Sequence, residues 1–74
     1  MPHINIKHFS PTLDVDQQAE LATSLTKIIA NIIHCDEGAI SIALETVEKE
    51  LWNEKVYIPE IINRKELLCK FPNY

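Results

Sequence analysis

Along the first nine residues apolar and polar side chains alternate. Ile4 and Ile6 fall on one side of an extended chain, while His3, Asn5 and Lys7 fall on the other. Period two with β-branched residues predicts a strand over residues 3 to 9. Ser10-Pro11-Thr12 closes it, because Pro11 has no N–H to give to a ladder. Asp14 stands three residues before Gln17, a capping-box variant that opens a helix. From residue 15 to about 34 the period lengthens. Leu21, Leu25, Ile28 and Ile32, flanked by Ala22, Ile29 and Ile33, make one broad apolar stripe with no Gly or Pro inside it. Residues 34 to 38 are polar and hold the only glycine, Gly38, which suits a turn. Alternation then returns over residues 39 to 47, where Ile40, Ile42 and Leu44 oppose Ser41, Ala43 and Glu45.

A strand, a long amphipathic helix and a second strand make a βαβ unit with parallel strands and a right-handed crossover. The expected class is α/β (α+β). Residues 48 to 58 read as loop or a short turn of helix. Pro59 suits the first position of a short C-terminal helix, with Ile61, Lys65 and Leu68 on one face. Residues 71 to 74 read as a closing turn. Two strands under one helix leave edges open and one face bare, so pairing with a second copy into a four-stranded sheet is expected.

Composition sharpens this. The chain has 74 residues, 46% of them hydrophobic, which makes one folding domain with a marginal core. Cys35 and Cys69 lack metal-like or C-x-x-C spacing and read as reduced thiols in a cytoplasmic protein. With neither disulfide nor metal as a staple, self-association is the expected stabiliser. The net charge of −4 argues against a nucleic-acid partner. No apolar run is long enough to span a membrane, and the start of the chain reads as neither signal nor transit peptide.

Candidate chemistry begins at Pro2. Methionine before proline is ordinarily removed in the cell, which leaves Pro2 with a free secondary amine. An α-amino group titrates near pH ~8, and an apolar setting lowers that further. A nitrogen poised near neutrality suits a general base. Parity places Pro2 on the Ile4–Ile6 face of the strand, the face expected to meet the helix.

Residues 1 to 7, Leu13-Asp14 and the strand Ile40-Ser41-Ile42-Ala43-Leu44 resemble the tautomerase superfamily built around 4-oxalocrotonate tautomerase. Trp52, Pro59-Glu60-Ile61 and residues 70 to 74 are similar to its dimeric bacterial branch, known for phenylenolpyruvate-type enols. The likeness runs in order along nearly the whole chain. It implies a single tautomerase-like domain over residues 1 to 74, an isomerase that shifts protons with no cofactor, and a homodimer. The substrate implied is a small enol or 2-oxo acid. Pro2 takes a proton from an enol hydroxyl or a carbon beside a carbonyl and returns it at another carbon. Two positions at which better-known members carry carboxylate-gripping arginines hold Leu13 and Ser41 here. A dicarboxylate therefore fits poorly, and an apolar pocket for an aromatic or monoanionic enol is expected.

Each candidate has a plainer reading beside the functional one. Ser41 either donates to a substrate oxygen or is a small residue on the outer strand face. Trp52 is an aromatic wall of the pocket or an oligomer anchor. Arg64, the only arginine, and Lys7 either attract a carboxylate or face solvent. His3, His8 and His34 match no metal spacing and read as structural or surface residues, and no metal is expected. Residues 48 to 50 read as a solvated charge run. An alternative from another class is a catalytically weak or inactive dimer of the same fold that binds a small ligand or serves a structural role.

Overall fold

The computed structural model describes all 74 residues. β1 is His3–Phe9, α1 is Val15–Ile33 and β2 is Ser41–Val47. The two strands pair in parallel, with His3 beside Ser41, Asn5 beside Ala43, Lys7 beside Glu45 and Phe9 beside Val47. The expected βαβ unit is therefore present. β2 begins two residues later than the alternation implied, because Glu37–Ala39 closes into a 3-10 turn before the chain extends.

The ends of α1 follow from local chemistry. The Asp14 carboxylate accepts from the Gln17 N–H at 2.8 Å, and the Gln17 side chain accepts from the Asp14 N–H at 3.0 Å. Two N–H groups that the helix leaves unpaired are thus satisfied. At the other end His34 turns left-handed, at φ 63°, and its N–H and that of Cys35 both donate to the Ala30 carbonyl. The turn residue is His34; Gly38 does not take a positive φ.

The stripe of α1 is only partly covered. Leu21, Ala22, Leu25 and Ile29 are half-buried, whereas Ile28, Ile32 and Ile33 are more than half exposed. Two strands are too narrow to cover a stripe of this width, so its C-terminal flank stays at the surface.

The C-terminal third departs most from expectation. After a 3-10 turn over Lys49–Leu51, residues Asn53–Ile62 form one wide helix of the five-residue hydrogen-bond type, closed by the Asn63 N–H donating to the Ile58 carbonyl at 3.0 Å. Pro59 lies inside this helix and not at its first position. Proline lacks an N–H and its ring crowds the carbonyl four residues back. A wider turn takes that carbonyl out of register with the ring, so the helix passes through Pro59 unbroken. The helix stops at Ile62, so Ile61, Lys65 and Leu68 share no helical face; Lys65–Leu67 is a separate 3-10 turn. Residues 71 to 74 run without regular structure.

Only Val47 and Val56 are buried, each 6% exposed. The accessible surface is 5813 Å², whereas a free-standing chain of 8.5 kDa presents roughly 4,700 Å². The radius of gyration, 13.8 Å, likewise exceeds the roughly 11 Å of a compact chain of this length. No helix is long and apolar enough to cross a membrane.

Candidate active site

Pro2 stands at the head of β1, half-buried, with its carbonyl accepting from the Ser41 N–H at 3.2 Å. That bond continues the strand ladder one residue past His3 and fixes the chain's entry to the sheet. Met1 before it is fully exposed. His3 and Ser41, directly paired in the register, bring His3 Nδ1 to 2.7 Å from the Ser41 hydroxyl. When Nδ1 carries the hydrogen, His3 donates and the Ser41 proton is free for another acceptor. When Nδ1 is bare, Ser41 donates to the ring.

Along the polar row of β1, His3 and Asn5 remain exposed and Lys7 is half-buried. His3, Asn5 and Lys7 line a cleft of about 410 Å³ whose opposite side is Trp52, Val56, Glu60 and Ile61 from the wide helix. A second cleft, about 590 Å³, continues from it past Lys7 and Trp52 to His8, Phe9 and Tyr74. Trp52 is the hinge between the two. Its ring meets Phe9 edge-on, with centroids 4.8 Å apart at 85°, and its indole N–H donates to the Tyr74 hydroxyl at 3.2 Å. Tyr74 in turn lies against Tyr57 at 5.6 Å. Edge-to-face contacts of this kind add about 0.5–1.5 kcal/mol beyond burial.

The residues singled out in the sequence are therefore only partly gathered. Trp52 lines both clefts, and Ser41 joins the first through His3. Arg64 reaches the same cleft only through Glu60, its ion-pair partner at 3.4 Å, and is half exposed. Leu13 sits elsewhere, in a shallow hollow with Gln17, Glu20, Leu21 and Ser24 on the first turns of α1. Pro2 lines none of the clefts of the single chain. Cys35 and Cys69 are unpaired thiols. Sequence reasoning assigns no site role to Asn5, Phe9, Val56, Glu60 or Tyr74, which line these clefts. The available signal was the spacing of Trp52, Val56 and Glu60, four apart, which is a helical face turned toward β1.

Comparison with known proteins agrees with this architecture. The sequence model of the family described as Tautomerase enzyme matches residues 2–53. Over all 74 residues the chain is 36% identical to Tautomerase PptA of Cronobacter sakazakii and covers 97% of that protein. It is 39% identical to Tautomerase PptA of Escherichia coli O139:H28, again over 97% of its length. A βαβ unit headed by Pro2, matched from that residue through β2 and similar to these relatives from end to end, places the chain in the tautomerase family, as an enzyme of the isomerase class.

Proposed function

We propose that this isomerase interconverts the enol and keto forms of a small 2-oxo acid bearing one carboxylate, with the nitrogen of Pro2 as its general base. The observation that carries the reading is the place of Pro2. It heads β1, its carbonyl is tied into the ladder by Ser41, and the family match begins at that residue. The exposed Met1 leaves the Met1–Pro2 bond open to an aminopeptidase. Once it is cut, the ring nitrogen is a secondary amine held at a fixed point on a rigid strand.

The chemistry balances within one substrate. The Pro2 nitrogen accepts a proton from the enol hydroxyl, the electron pair moves to form the carbonyl, and the carbon at the other end of the enol takes the proton back from the ammonium. Nothing is oxidised, and no further reactant is consumed. Charge that gathers on the oxygen in the transition state calls for a donor. Ser41, in the tautomer of His3 that frees its hydroxyl, is the proposed one. Trp52 is the proposed wall of the substrate pocket; Arg64 lies further out beside Glu60, and Leu13 stands apart in the hollow on α1.

We place this site between two copies in a cytoplasmic homodimer. The clefts of one chain are lined from His3 onward and not by Pro2, which supports a site that a second copy completes. Replacing Pro2 by Ala should lower tautomerisation of phenylenolpyruvate or a 2-hydroxydienoate by at least about tenfold, the low end of general-base contributions. An unchanged rate in processed protein removes Pro2 from the mechanism.

A further inference from the structure

Lys7 and Glu45 stand directly opposite one another in the strand register. Opposite charges at such positions ordinarily pair across the sheet. Here they do not, and the one ion pair of the chain is Arg64–Glu60. Asn5 comes between them. Its amide donates to Glu45 Oε1 at 3.2 Å, and its carbonyl oxygen accepts from Lys7 Nζ at 2.6 Å. A neutral side chain thus occupies the carboxylate and steadies the ammonium, which keeps its charge and two of its three donors.

That ammonium lines both clefts. The larger is walled by Phe9, Trp52 and Tyr74, and its volume of about 590 Å³ falls in the range usual for small-molecule sites. The Trp52 indole N–H is already taken by Tyr74, so the rings offer a ligand apolar surface and Lys7 offers the charge. A cation without a carboxylate partner, lining one cleft with Phe9, Trp52, Tyr74 and His8, suits the ligand class that the tautomerase resemblance implies, an aromatic ring joined to a single carboxylate.

We propose that Lys7 is the carboxylate anchor of this enzyme, that Phe9, Trp52 and Tyr74 enclose the ligand's ring, and that Asn5 is a positioning residue which keeps Glu45 from neutralising Lys7. The inference rests on the proposed function for its aromatic monocarboxylate substrate and for a site completed by a second copy. Lys7 lies four residues along β1 from His3 and the paired Ser41, about 13 Å away, so the base and donor that meet a ligand held here belong to the other copy. The anchoring task falls to a lysine in a chain whose sole arginine is tied to Glu60.

Trp52 is the only tryptophan, so its fluorescence reports on this cleft directly. The full chain is titrated with 3-phenylpropanoate, which has no enol to turn over, and in parallel with uncharged 3-phenylpropan-1-ol. The acid should bind saturably and about tenfold more tightly than the alcohol, the effect of one charge-assisted contact. Lys7→Gln should weaken the acid about tenfold and leave the alcohol unchanged, which also shows that the cleft is intact. Asn5→Ala should weaken the acid selectively, as Lys7 falls onto Glu45, and adding Glu45→Gln should restore it. Pro2→Ala should bind the acid as the parent does, so this site and the identity of the base succeed or fail separately. Absence of saturable acid binding, equal acid affinity in the parent and Lys7→Gln, or equal loss of both ligands in a folded Lys7→Gln would each overturn the proposal.

Discussion

At the scale of single residues, the proposed mechanism makes one nitrogen answer for the rate. An α-amine works as a base only when uncharged. kcat/KM should therefore rise tenfold per pH unit on the acid side and level off above the Pro2 ionisation. An ordinary α-amine ionises at about pH 8. A pH–rate profile checks this: a limb near pH ~4 instead would point to a carboxylate base. Pro2 could be proposed from the sequence because the chemistry assigned to it depends only on its following Met1. Trp52 was legible because a lone tryptophan must be accommodated somewhere. The separation of Lys7 from Glu45 was not, since it requires knowing which residues face each other across the strands and which neighbour intervenes.

At the scale of elements, α1 shows how far local chemistry reaches. Its start is held by the reciprocal Asp14–Gln17 bonds and its end by a left-handed His34. Asp14→Ala should lower stability by about 1 kcal/mol through loss of the cap. His34→Gly should raise it by up to about 1 kcal/mol, because glycine takes a positive φ without crowding its Cβ. Urea titration of the two variants measures both, and a stabilised Asp14→Ala or a destabilised His34→Gly would contradict this account. The wide helix over Asn53–Ile62 escaped the sequence reading for a definite reason. Pro59 signals a helix start when the helix is taken to be of the four-residue kind, and that signal fails when the turn is wider.

At the scale of the whole molecule, the chain presents roughly 1,100 Å² more surface than its mass calls for. That is somewhat more than the roughly 800 Å² per partner of a standard interface. Ile28, Ile32 and Ile33 supply an exposed apolar flank of α1, with Ile32 at 67%. Sedimentation should give twice the chain mass. Ile32→Asp should lower the melting temperature and shift the protein toward monomer, since a substitution on a truly free surface changes stability by no more than about 0.5 kcal/mol. A parent that sediments as a monomer would remove the second copy from the site.

The order and kind of the first three elements were settled by the sequence alone, because alternation, the helical stripe and a capping box are all read within a few neighbouring positions. The site was decided elsewhere. His3 meets Ser41 and Asn5 meets Glu45 across 38 and 40 positions of chain, and the wide helix lines the far side of a cleft along the polar strand face, where His3 and Asn5 stay exposed as alternation predicts. Such contacts depend on strand register and on helix width. Both are set by how distant segments pack, and no local pattern of residue types records them.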